Sequence, residues 1–141
     1  MSDQVVVIRK ILQASCDEVF DAWLDAAGMQ QWMCPGAVTR CQVALDPRLG
    51  GRFRIVMTAP STEFVHTGEF RVIERPSRLQ FTWVSSRMSY QETLITVELL
   101  PRETACELIL THERVPREHP ANELVRGWNQ MLEKLATHLG A

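Results

Sequence analysis

The stretch Ala121 to Leu139, ANELVRGWNQMLEKLATHL, decides the fold. Leu124, Trp128, Met131, Leu132, Leu135 and Leu139 recur at spacings of three, four and seven, while Glu123, Arg126, Gln130, Glu133, Lys134 and Thr137 fall on other faces. That pattern predicts one long amphipathic helix with a dry side and a wet side. Pro120 suits a first turn, His138 lies at the negative end of the helix dipole, and Gly140 is placed to close the C-terminus. Gly127 is out of character, because an interior glycine costs about 1 kcal/mol relative to alanine. It predicts either close approach of another element or a space left open beside Trp128.

Upstream the period is two. After a β-branched run, Val5 to Leu12, that reads as a strand, Ser15-Cys16-Asp17-Glu18 forms a capping box opening a short helix with Val19, Phe20, Trp23 and Leu24 on one side. A second short helix follows Asp25, carrying Met29, Trp32 and Met33 and ending at Cys34-Pro35-Gly36. From Val38 onward, strands follow one another, separated by turns. Phe53, Ile55 and Met57 alternate with Arg52 and Arg54; His66, Gly68, Phe70 and Val72 with Thr67, Glu69 and Arg71; and Leu79, Phe81 and Trp83 with Gln80 and Thr82. Two further strands place Thr93, Ile95, Val97 and Leu99, then Cys106, Leu108, Leu110 and His112, on one parity. Consecutive strands this close pair antiparallel, and the only sizeable cover for their shared apolar face is the last helix. The expected class is α+β with a helix-grip arrangement: a curved antiparallel sheet of about six or seven strands wrapped around the C-terminal helix, residues 1–141 forming one domain.

Composition narrows the function. A net charge of −2 with no basic stripe speaks against nucleic acid as a partner, and no apolar run is long enough for a signal-peptide core or a membrane span. A cytoplasmic protein is expected. Cys16, Cys34, Cys41 and Cys106 show no C-x-x-C spacing, so they read as thiols rather than a disulfide framework, and neither a metal nor a cofactor is called for. The Val5 to Leu12 strand and the sheet edges offer a surface for a homodimer.

The chain resembles the START / birch-pollen-allergen-like superfamily, also called the polyketide cyclase and lipid-transport superfamily. Within it the likeness is nearest to single-domain bacterial homologues of the activator of the heat-shock-protein-90 ATPase. The residues that carry it are Glu18-Val19-Phe20-Asp21-Ala22-Trp23, Gln31-Trp32 through Pro35-Gly36, Gly50-Gly51-Arg52-Phe53, Gly68-Glu69-Phe70, Arg78-Leu79-Gln80-Phe81-Thr82-Trp83, Thr96-Val97-Glu98-Leu99, Leu110-Thr111-His112-Glu113 and Gly127-Trp128. The resemblance implies a helix-grip fold and a choice among binding of lipids, sterols or polyketides, cyclase or dehydratase chemistry, and chaperone regulation.

Alternation predicts a cavity lined by Phe53, Ile55, Met57, Phe70, Phe81 and Trp83 from the sheet and by Trp128 and Met131 from the long helix, with Trp23, Trp32 and Met33 at its mouth. His66, His112 and Gln91 are the polar candidates on the inward parity, the two histidines being its titratable members, while a bulge or the loop before a strand could also turn Glu63, Glu92 or Tyr90 inward. Each of these residues has a simpler reading as core packing or as a structural histidine. Glu69, Glu92, Glu98 and Glu107 fall outward, so no inward carboxylate pair is expected. Arg52, Arg54, Arg71 and Arg87 read as solvated sheet surface. The expected function is binding of a small, largely hydrophobic or aromatic molecule between sheet and helix, the enzyme and protein-interaction readings being its rivals.

Overall fold

The computed structural model describes residues 3–140. It contains β1 (Gln4–Leu12), α1 (Cys16–Ala22), α2 (Ala26–Trp32), β2 (Arg40–Leu45), β3 (Arg52–Ala59), β4 (Thr62–Glu74), β5 (Arg78–Ser85), a short 3-10 turn (Ser86–Met88), β6 (Glu92–Arg102), β7 (Ala105–Val115) and α3 (Ala121–His138). The strands form one seven-stranded antiparallel sheet in the order β1-β7-β6-β5-β4-β3-β2. Every pairing joins sequence neighbours except that of β1 with β7. The α1–α2 segment consequently connects β1 and β2, the two edges of the sheet, and runs across the same apolar face as α3. This is the expected helix-grip α+β architecture, with the sheet count at seven.

Local chemistry accounts for the elements. The Ser15 hydroxyl accepts the Glu18 backbone N–H at 3.1 Å while the Glu18 carboxylate accepts the Ser15 N–H at 3.2 Å, so both ends of the capping box are closed. Arg75 binds the Asp21 carboxylate and stacks over the Phe20 ring, 5.5 Å from its centroid, which fastens α1 to the β4–β5 turn. In α3 the buried side chains are Trp128, Met131, Leu132 and Leu135, each contributing roughly 1.5–3 kcal/mol by leaving water. Beyond α3, Gly140 adopts a left-handed backbone (φ +73°) and returns its N–H to the Thr137 carbonyl.

Two details of β4 differ from simple alternation. A bulge between Phe70 and Val72 shifts the phase, so Ile73 rather than Val72 packs against the core. At Gly68 a Cβ would stand 1.9 Å from the Thr82 carbonyl oxygen and 2.5 Å from the Phe53 ring, so only glycine lets β4, β5 and Phe53 meet. The core itself is aromatic: Trp23 meets Trp32 edge-on at 4.9 Å, Phe53 meets Phe81 at 90° and 5.5 Å, and Trp83 lies 5.5 Å from Trp128.

Candidate functional site

The two inward histidines have opposite surroundings. His112, on β7, is fully buried beneath α3. Trp128 donates its indole N–H to His112 Nδ1 at 3.2 Å, and His112 Nε2 lies 2.7 Å from Thr93 Oγ1, which in turn donates to the Trp83 carbonyl at 2.6 Å. An indole only donates and a carbonyl only accepts, so the proton on His112 must sit at Nε2. Every polar atom in this relay is used. Burial, with smaller effects from the charges of His119 and His66, pushes the His112 pKa down to about 3, so the ring is neutral.

His66, on β4, is also buried, but neither ring nitrogen has a hydrogen-bond partner. Its ring stacks on Trp83 at 4.7 Å and 24°. Burial and the nearby Arg87 charge lower its pKa to about 3, so it too is neutral. An unpaired buried polar group costs roughly 1–3 kcal/mol, and here two are held on one ring beside an empty space.

That space is a chamber of about 50 Å³ between the sheet and the N-terminal half of α3. Met57, His66 and Trp83 line it from the sheet, and Leu124, Gly127, Trp128 and Met131 from the helix; Arg87, His119 and Glu123 stand at its rim. Of the two alternatives posed for Gly127, the open one holds: nothing lies within 4 Å of where its Cβ would be. Outside, a vestibule of about 600 Å³ opens between the β3–β4 hairpin, the segment 35–38 and α3. Pro35, Arg87, Glu123 and Gly127 border both spaces.

Of the residues expected to line a cavity, Met57, His66, Trp83, Trp128 and Met131 meet at this chamber. Trp23, Met33, Phe53, Ile55, Phe70 and Phe81 surround instead a cleft of about 10 Å³, too small for more than a water. Trp23, Trp32 and Met33 are not at a mouth; they are 2%, 0% and 1% exposed, because α1 and α2 lie flat on the sheet and turn these side chains into the core. His112 does not reach the chamber and underlies Trp128. Gln91 is exposed, since Ser89 and Tyr90 take positive φ values of 54° and 60° and the strand parity begins only at Glu92. Thr93, two residues further on and on the expected inward parity, is fully buried and supplies the polar contact that Gln91 does not. Arg87 is exposed, yet it overhangs the chamber with its guanidinium 4.6 Å from the Phe64 ring centroid. Ser85, Met88 and His119 also border the chamber without having been foreseen. Among the described residues, no group of three or more His, Cys, Asp or Glu is placed to hold a metal, and no helix is long and apolar enough to cross a membrane.

A sequence model of the family described as Activator of Hsp90 ATPase homolog 1-like protein matches residues 13–140. The chain belongs to that family. No curated protein matches it. Among solved structures, protein CV1439 from Chromobacterium violaceum aligns with a TM-score of 0.87 at 20% identity, covering 97% of each chain. A protein from Arthrobacter aurescens gives 0.84 at 19% identity, covering 96% of this chain and 86% of its own. CalU16 from Micromonospora echinospora gives 0.72 at 22%, covering 97% and 76% respectively. At such identities the likeness concerns the fold. In this member of the Activator of Hsp90 ATPase homolog 1-like family, Met57, Trp83, Leu124, Trp128 and Met131 supply the apolar walls of the chamber beside His66.

Proposed function

We propose that the protein binds a small, largely apolar molecule whose polar end enters the chamber beside His66 and whose remainder lies in the vestibule. The observation that carries this reading is that His66, whose two ring nitrogens are buried without a hydrogen-bond partner, is one of the residues lining the chamber. A neutral imidazole offers one donor and one acceptor, which suits a hydroxyl or carbonyl group. Size sets the seating. A cavity of ~150 Å³ accommodates benzene, so about 50 Å³ admits a head group of a few atoms and leaves a larger body outside. The walls there, Met57, Trp83, Trp128 and Met131, are apolar and include the adaptable methionine side chain.

Cyclase or dehydratase chemistry would ask His66 to take a proton, and a group held near pKa 3 is a weak base at neutral pH. Binding is favoured over turnover on that ground. The test is a thermal-shift screen with phenols, aromatic ketones and medium-chain alcohols, joined to native mass spectrometry of the freshly purified protein. Stabilisation by such compounds in the wild type but not in His66→Phe is the expected result. If no compound shifts the wild type and no small molecule co-purifies, the reading fails.

A further inference from the structure

Cys16 and Cys106 are 90 positions apart in sequence and their sulfurs stand 2.7 Å from one another. Cys16 is the first residue of α1, and Cys106 lies on β7 opposite Leu12 of β1 and Pro101 of β6. Their exposure is unequal: Cys16 is half-buried and Cys106 is sealed at 0%. Beside Cys16 runs an open groove of about 510 Å³, bounded by Ser15 and Asp17 on one bank and by Leu99, Pro101 and the 103–105 turn on the other. Cys16 thus lines a space large enough for a peptide-sized reagent, and its sulfur is in contact with a second, buried one. The other neighbouring pair, Cys34 and Cys41, has both members buried.

We infer that Cys16 and Cys106 are a reversible thiol–disulfide site, oxidised by a small-molecule disulfide of the glutathione type that docks in the groove. The Cys16 thiolate attacks one sulfur of that disulfide; a mixed disulfide forms and one small thiolate leaves. Cys106 then gives up its proton and attacks the Cys16 sulfur, forming the Cys16–Cys106 bond and expelling the second small thiolate. Two protein thiols are oxidised, one small disulfide is reduced to two thiols, and the two protons released by the protein end on them. Burial pushes the Cys106 thiol up to about 12, so entry is at Cys16. Sulfur-to-sulfur contact offsets that reluctance in the second step, because the attack is intramolecular. The bond would tie the start of α1, which carries Val19 and Phe20 into the core, to the start of β7, the strand next to the β1 edge of the sheet. This inference is independent of the chamber and its ligand.

The experiment is to incubate the folded protein with glutathione disulfide, alkylate the remaining thiols after unfolding, and map the peptides without reduction. A loss of two hydrogens in intact mass, a linked Cys16–Cys106 peptide pair, alkylated Cys34 and Cys41, and reversal by dithiothreitol are expected. Cys106→Ser should stop at a stable glutathione adduct on Cys16. If that variant does not fold, the wild-type map still decides. A lasting glutathione adduct on wild-type Cys16, a Cys34–Cys41 or interchain link, or four free thiols would each overturn the inference.

Discussion

Trp128 and His112 are joined by a 3.2 Å hydrogen bond that fixes both the rotation of the last helix and the tautomer of the histidine beneath it. The bond starts a relay through Thr93 to the Trp83 carbonyl, so α3, β7, β6 and β5 share one satisfied polar line through the core. Replacing His112 by Phe strands the Trp128 N–H and removes the partner of Thr93. A loss of roughly 2–4 kcal/mol is expected, read as a lower urea midpoint with unchanged slope. A change under about 0.5 kcal/mol would mean that the relay is dispensable.

His66→Phe should act in the opposite direction. The substitution removes two unsatisfied nitrogens and keeps the stack on Trp83, so stability should hold or rise by up to about 2 kcal/mol while any ligand-induced thermal shift disappears. Two buried histidines on one sheet thus give contrasting variants, and calorimetry with and without ligand separates them.

Acid should unfold the protein through these same residues. Both rings are held at about 3 when folded, against 6.5 as the ordinary value. Between these limits the unfolded chain binds more protons than the folded one, so stability is complete above about pH 6.5 and declines as pH falls toward 3. Denaturation midpoints at a series of pH values should show that decline, and His66→Phe should make it shallower. A profile flat from pH 7 to 4 would contradict neutral burial of the pair.

Gly127 separates stability from access. An alanine there meets nothing within 4 Å and should stabilise α3 by about 0.5–1 kcal/mol. Leucine at the same position extends toward the passage shared by chamber and vestibule, so it should abolish ligand-induced shifts while leaving the fold intact. Retained binding in Gly127→Leu would place the ligand elsewhere.

The architecture was readable because alternation and helical spacing are imposed by burial: Phe53, Ile55, Phe81 and Trp83 point where the period-two pattern puts them, and α3 turns Trp128 and Leu135 inward. The rim of the chamber was not readable, for it is built from irregular chain. Arg87 and Met88 lie on a 3-10 turn, and His119 lies just before α3. No periodicity governs such positions; only the folded path brings them together. Gln91 was misplaced for the same reason, since parity carried backward through a turn with left-handed residues has no meaning. Trp23 and Trp32 show a different limit. Their inward direction was legible, but the depth of a short helix on a sheet depends on packing from both edges.

The two ends of α3 are held unequally. Its second half is clamped: Lys134 donates to the Cys34 carbonyl, Glu133 pairs with Lys10 at 2.9 Å, and Gly140 finishes the last turn. Its first turn begins at Pro120 without a side-chain cap and runs above the void. Fraying should therefore begin at Ala121 and progress toward Gly127, and amide exchange should be fast there and slow from Met131 onward. The entrance to the chamber is then a matter of unwinding rather than of domain motion, and the on-rate for a guest should track the exchange rate of that single turn.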